Sequence, residues 1–529
     1  MKLDQARKKL GTILFLLTPF LASAQQVQRN PTVVHETAHT TTPLAFRDMK
    51  PVPWHNTSKV MVEHDRNPVR HISNMPDPLV RETTTAVPSV GTTSLLNFDG
   101  INDAQGGGFV PPDTNASVGS TQVVETVNVA YAVYDKTTGA QLLAPTNIQT
   151  LYTPLGGQCA TGNLSDPVAT YDKAAGRWLI TMIAFNNTFT QSNSCIAVST
   201  TSDATGTYHL YSFAFGRNLP DYPKVGVWPD AYYFTANTFP NGGSFTGAKT
   251  CALDRTNMLA GNAATMQCFQ RTRADFSLLP ADLDGAAPPP TGAPNYQLEL
   301  ASSTKLNLFK FHVDFAVPSN STFTGPTQLN VAAFTDACAA TGTCILQPSP
   351  GEQLDSLGDR LMYRLAYRNF ADHEAMVVTH SVKPGGTGGA LSACRWYEIR
   401  NPGTTPTIFQ QGTVGGGTGS VAKWMGSIAM DKNGDIALGY SKSNSTVKPS
   451  IEYVGRIPTD AKGSMESAKL IIAGGGVQQS SFNRWGDYSS MAIDPTDDCT
   501  FWYAQEYYKT NGSFNFRTRL ASFKFTTCN

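Results

Sequence analysis

The 529-residue sequence predicts an all-β fold, a single β-propeller of seven blades with four antiparallel strands each. Three observations carry this prediction. A unit of strand, tight turn and aromatic-rich strand recurs seven times after Phe98. Its starts are spaced by roughly 55 to 70 residues, slightly more than a four-stranded blade needs, which leaves room for loops. Glycine (45) and proline (33) are abundant while helix signals are almost absent.

The chain divides into three parts. Residues 1–24 read as a signal peptide: Arg7, Lys8 and Lys9 precede a short apolar core, Ile13 to Leu21, and Ala22-Ser23-Ala24 offers a cleavage site. The apolar run is too short to span a bilayer. No cysteine follows the cleavage site, which argues against a lipoprotein. No later stretch qualifies as a transmembrane segment, so an exported, soluble protein is expected, extracellular or periplasmic. Residues 25–92, rich in Thr, Pro, Val and His without periodicity, read as a flexible leader. They hold five of the nine histidines: His35, His39, His55, His64 and His71. Irregular spacing favours a solvated linker over a metal-binding tail.

Residues 93–529 form the propeller. The units are "PPDTNASVGSTQVVETVN" from Pro111, "DPVATYDKAAGRWLITMIAFN" from Asp166, "DYPKVGVWPDAYYFTAN" from Asp221, "GAPNYQLELASSTKLNLFKFHVDF" from Gly292, "GDRLMYRLAYRNFADHEAMVVTHS" from Gly358, "KWMGSIAMDKNGDIALGYS" from Lys423 and "RWGDYSSMAIDPTDDCTFWYAQEY" from Arg484. The turns "YDKAAGRW", "MDKNGDIA", "IDPTDDCTF" and "WPDAYY" put Asp, Gly, Asn or Pro where a tight hairpin needs them. One short helix is expected in "ALDRTNMLAG", Ala252 to Gly261. The segment "SLLNFDG", Ser94 to Gly100, precedes the first unit and can add a strand to the last, closing the ring and removing an open edge.

Formal net charge is zero and only 15% of residues are charged, so no nucleic-acid partner is indicated. Nine cysteines fit an oxidising compartment. Sequence alone leaves the connectivity open; pairing of near neighbours would give Cys159–Cys195, Cys251–Cys268, Cys338–Cys344 and Cys499–Cys528 and leave Cys394 as a buried thiol. A monomer is expected.

In a propeller the innermost strands line a central channel, and the loops that lead into them open on one face with the loops after the second strands. The leading loops here supply Asp113, Asp166, Asp221, Asp359 and Asp487, with Lys224, Arg360 and Arg484 beside them. The second-strand ends supply Asn128, Asn186, Asn237, His380 and Glu506. These groups, remote in sequence, are expected to converge at the channel mouth. Close carboxylates repel, so one stays protonated near neutral pH and can act as an acid. Asp166, Asp487 and Asp221 are the candidate catalytic groups. Asp113, Lys224, Arg360, His380, Arg484, Tyr488 and Glu506 are the candidate ligand-binding groups, and Tyr222, Tyr488 or His380 could serve as a base. Calcium is an alternative occupant of such an oxygen-rich site. The competing structural reading is that an Asp opening an inner strand accepts backbone N–H groups and fixes blade packing.

Other motifs carry less. "DKNGD", Asp431 to Asp435, lacks the distal Glu of a calcium loop and reads as a hairpin turn. Tyr397 and Glu398 of "CRWYEIR" are adjacent on a strand, so they face opposite sides and cannot act as a pair. "GGGTG" at Gly415 to Gly419 has no helix signal after it, and GxSxG is absent.

"PPDTNASVG", "DPVATYDKAAGRWLI", "DYPKVGVWPDAYYFTAN" and "RWGDYSSMAIDPTDDCTFWYAQEYY" together resemble a group of uncharacterised large secreted bacterial proteins of β-propeller type. The resemblance covers about residues 94–529. It implies export and architecture and supplies no activity. Two functions follow from the residues: an enzyme that hydrolyses or eliminates an extracellular glycan at the channel face, or a non-catalytic module that binds a glycan or protein there.

Overall fold

The computed structural model describes residues 26–54, 71–73, 75–80, 90–385, 391–416 and 421–529. The expected signal peptide lies outside them, as do His55 and His64 of the leader. The described chain is nearly all β. Its strands pair into one ten-stranded, two five-stranded, three four-stranded and one two-stranded sheet, within which up-and-down antiparallel runs of four strands follow one another, here called sheets I (115–147), II (163–216), III (218–270), IV (279–330), V (365–414), VI (422–472) and VII (490–525). Sheet VII takes its fourth strand from Thr92–Asn102, which pairs antiparallel with Phe516–Phe525. This is the pairing expected of "SLLNFDG". The first strand of each sheet contacts the first strand of the next, and that of sheet VII contacts that of sheet I. Sheets IV and V are tied more closely, because Ala281–Asp284 pairs in parallel with Leu365–Arg368.

The sheets pack face to face through aromatic and β-branched side chains. Five large clusters of buried apolar residues span neighbouring sheets, with a small sixth around Phe239, Phe245 and Phe276. Close approach demands glycine at one of these seams. A Cβ at Gly226 of sheet III would collide with the Ala281 carbonyl of sheet IV.

All four expected disulfides form: Cys159–Cys195, Cys251–Cys268, Cys338–Cys344 and Cys499–Cys528. Cys394 is a buried free thiol that burial pushes up to about 12. Such bonds fit an oxidising compartment. Among the described residues no helix is long and apolar enough to cross a membrane. The expected helix is Arg255–Ala260, capped by Asp254 at its start and by left-handed Gly261 at its end. "DKNGD" is a hairpin turn in which Asp431 Oδ1 accepts from the Asn433 and Asp435 N–H groups.

Three features depart from the sequence reading. First, the fourth unit begins upstream of Gly292. The first strand of sheet IV is Leu279–Asp284, and Asn295–Ser302 is its second strand. A Pro-rich loop of ten residues, 285–294, separates them in place of a tight turn, which hides the hairpin. Second, part of the leader is ordered. Val27–Arg29, Thr32–His35 and Ala38–Thr41 add a fifth strand to sheets IV, III and II in turn. Each is too short for a period-two pattern to show, but each covers an outer edge that would otherwise stay unpaired. Third, residues 331–364 make a long excursion between sheets IV and V. Its Ile345, Leu354, Leu357 and Met362 pack with Val110, Trp424 and Trp485, across sheets VI and VII and the segment leading into sheet I.

Candidate functional site

The leading ends of the first strands share a backbone device. Asp113, Asp166, Tyr222, Ser277, Met425 and Gly486 all take positive φ, between 49° and 57°. A left-handed non-glycine residue costs about 1 kcal/mol or more, so its recurrence marks a constrained joint. Register shifts follow it in sheets III and VI, between Asp221 and Lys224 and between Trp424 and Ser427. Such bulges re-aim the side chains around them.

Lys224 stands at the middle of the resulting cluster. Its Nζ donates to the Pro223 carbonyl (2.9 Å) and lies 3.4 Å from the Tyr222 ring centre and 4.2 Å from that of Tyr488. It is fully buried. Burial lowers its pKa to about 7, against the opposing pull of Asp166, Asp113 and Asp221 and with help from Arg360. Arg360 pairs with Asp359 (2.8 Å) and lies 4.9 Å from the Tyr222 ring centre. Arg484 forms an ion pair with Asp487. Glu506 is buried, and desolvation together with the Asp113 charge raises its pKa well above the carboxylate range, while Arg484 opposes. Glu506 Oε1 has no hydrogen-bond partner among the described residues. Burial and the neighbouring Asp113 charge thus favour the protonated form of Glu506.

Nine of the ten predicted residues thus come together: Asp113, Asp166, Asp221, Lys224, Arg360, Arg484, Asp487, Tyr488 and Glu506. Two expectations need correction. His380 is apart from the cluster. It hydrogen-bonds Tyr397 (3.0 Å) and stacks on it, with Phe334 edge-on and with Arg395 and His71 nearby. The excursion separates it from the axis: the Met362 N–H donates to the Thr379 carbonyl (2.9 Å) and the Ala337 N–H to that of Ser381 (3.3 Å). The cluster is also buried, where an open mouth is expected. Asp113 and Lys224 are each 1% exposed, and only Asp221 of the nine is partly exposed. The excursion again contributes, since the Asp355 N–H donates to the Asn483 carbonyl (2.8 Å) just ahead of Arg484.

Several of these side chains also join sheets. Asp113 Oδ1 accepts from the Asp487 N–H (2.9 Å), linking sheet I to sheet VII, and Asp166 Oδ2 accepts from the Tyr222 N–H (3.0 Å), linking sheet II to sheet III. Asn237 binds Ser277 through both amide atoms, and Asn128 donates to the Pro111 carbonyl (2.5 Å). Asn186 closes its own turn by accepting from the Thr190 N–H (2.9 Å). Tyr363, unremarked in the sequence, packs its ring 6.1 Å from Tyr488 and belongs to the same buried floor. The sequence reading places it within the fifth unit, from Gly358, without singling it out, whereas it lies in the excursion ahead of the first strand of sheet V, Leu365–Asn369. Among the described residues no group of three or more His, Cys, Asp or Glu is arranged to hold a metal ion.

No protein-family model matches the chain, and no curated protein matches it. Solved structures do. The α-L-arabinofuranosidase Arb93A from Fusarium graminearum is 8% identical, with a TM-score of 0.36, over 83% of this chain and 99% of that one. The Hadza microbial sialidase Hz136 is 10% identical, with a TM-score of 0.37, over 79% and 66%. The WD40 domain of SCAP from fission yeast is 8% identical, with a TM-score of 0.33, over 77% and 82%. Likeness this remote leaves the chemistry of the cluster to its own residues.

Proposed function

We propose that this chain is an exported protein folded as a closed seven-bladed β-propeller, and that the leading end of its axis binds an extracellular carbohydrate and moves a proton on it. The observation that carries the reading is the contrast between Glu506 and Lys224. Burial and the Asp113 charge shift Glu506 upward toward its protonated form, whereas burial pulls Lys224 down to about 7. An acid shifted upward and a base shifted downward in one buried cluster suit general acid–base catalysis. In hydrolysis Glu506 gives its proton to the departing glycosidic oxygen, and the Lys224 amine takes one from the attacking water. In elimination Lys224 takes the proton from the sugar carbon instead, and Arg360 neutralises the uronate. Asp166 and Asp221 set the charge on Lys224, and Asp487 holds Arg484. Asp221 is the side of the cluster nearest solvent.

A panel of polysaccharides offered to purified residues 25–529 tests this, with reducing ends and unsaturated-uronate absorbance both recorded. Release of either product supports catalysis and tells hydrolysis from elimination; silence in both readouts across the panel counts against it. The second reading is a binding module whose acidic groups are structural. It is favoured by the N–H bonds that Asp113 and Asp166 accept from neighbouring sheets. Under it, Asp166→Asn lowers the melting temperature and no glycan is turned over.

A further inference from the structure

The trailing ends of the first strands enclose a second cleft, which Tyr363 separates from the cluster above. Two adjoining lobes share Lys173, Leu283, Gly285, Pro495 and Asp498, and the larger has a volume of about 330 Å³. That is the size of a small-molecule site. Trp228, Pro229, Pro288 and Leu283 give it an apolar wall.

The carboxylates of this cleft are all held by arginine. Asp498 accepts from both terminal nitrogens of Arg368, at 2.7 Å each. Arg364 binds Asp282 (3.2 Å) and also Asp284. Asp172 accepts from Arg255 at 2.6 and 3.1 Å and from the Tyr232 hydroxyl at 2.9 Å. Lys173 is different. It lines both lobes, yet its ammonium makes no hydrogen bond or ion pair with the described residues. Asp284, Asp498 and Asp282 attract it and Arg368 repels it, but burial outweighs them all and lowers it to about 8. Lys173 is partly exposed at the cleft, so its ammonium can take an oxygen anion that enters from solvent in a charge-assisted bond.

We infer that this cleft is a binding site for a small organic carboxylate, which places its carboxylate on Lys173 and an apolar face against the wall of Trp228, Leu283 and the prolines. The inference is independent of the reading of the leading end. Charge count agrees with it. Lys173, Arg255, Arg364 and Arg368 balance Asp172, Asp282, Asp284 and Asp498 when all are ionised. Burial raises Asp282 to about 6, so below that pH the cleft carries excess positive charge. Binding of an anion therefore strengthens as pH falls from 8 to 5.5.

The test is calorimetric titration of purified residues 25–529 with glucuronate, benzoate and glucose at pH 6 and pH 8. Saturable binding of glucuronate or benzoate, tighter at pH 6, with none of glucose at the same concentration, is expected. Lys173→Gln weakens that binding by about tenfold or more, as loss of a charge-assisted bond does, and Lys173→Arg retains most of it. Because Lys173 holds no structural bond, both variants keep the wild-type melting temperature. The inference is overturned if neither carboxylate saturates, if glucose binds as well as glucuronate, or if Lys173→Gln binds unchanged.

Discussion

Glu125 offers a quantitative test of how the N-terminal strand is joined to the C-terminal one. It lies on the second strand of sheet I, facing the seam where the N-terminal strand Thr92–Asn102 meets the C-terminal strand Phe516–Phe525. Its Oε2 accepts from the Ile101 N–H (3.0 Å) and the Tyr134 hydroxyl (2.9 Å), and its Oε1 bonds to the Thr518 hydroxyl. Burial outweighs these bonds and raises its pKa from 4.5 to about 7. The sign follows directly. A carboxyl whose folded pKa is raised is at its most favourable below the unfolded value, and stability falls as pH rises from 4.5 through 7. The full cost is about 3 kcal/mol, from roughly 1.4 kcal/mol per pH unit of displacement. Glu125→Gln keeps the two accepted bonds on its amide oxygen and turns its NH2 toward the Thr518 oxygen, without a proton to lose. Chemical denaturation of both proteins at pH 5 and pH 8 measures the effect. The variant should gain about 2.5 kcal/mol relative to wild type between those two pH values, since part of the cost is already present at pH 5, whatever constant offset the amide introduces. Parallel pH profiles for the two proteins would refute the reasoning.

The other predictions concern what holds the strands and the leader in place. Arg395→Met should cost about 3 to 5 kcal/mol in denaturation, because it strands the fully buried Asp77, now bonded at 2.5 Å. Cys499→Ser should cost about 3 to 4 kcal/mol, since the Cys499–Cys528 bond closes a 29-residue separation, and reductant should abolish the difference between variant and wild type. Deleting residues 26–41 exposes the outer edges of sheets II, III and IV, so light scattering on heating should rise and begin at a lower temperature.

Most of the architecture is legible in the sequence because tight turns carry strong local chemistry. "YDKAAGRW" and "MDKNGDIA" announce hairpins through Asp and Gly, and the cysteine pairs are near neighbours in the chain. Sheet IV is misplaced because its first hairpin uses a long proline loop, which carries no turn signature. The leader strands escape notice because three or four residues cannot display alternation, and their pairing is decided by the edges they cover. Convergence of Asp113, Asp166, Lys224 and Glu506 follows from register within repeated units. Their burial does not, because it depends on the excursion 331–364, whose packing is long-range. His380 is misassigned for the same reason. The cleft beside Lys173 is invisible in sequence, since Lys173, Asp284 and Asp498 come from three sheets, Lys173 and Asp498 in turns that read only as turns and Asp284 at a strand end.

The central claim is that Glu506 and Lys224 move protons on a bound carbohydrate. Its most direct test compares wild type, Glu506→Gln and Lys224→Met on whichever polysaccharide the wild type cleaves, with melting temperatures measured alongside. The account predicts that both variants lose at least about 100-fold in turnover, the scale of a general acid or base, while Glu506→Gln melts no lower than wild type. Turnover retained in both variants would contradict it, as would a wild-type protein that melts normally and cleaves no polysaccharide.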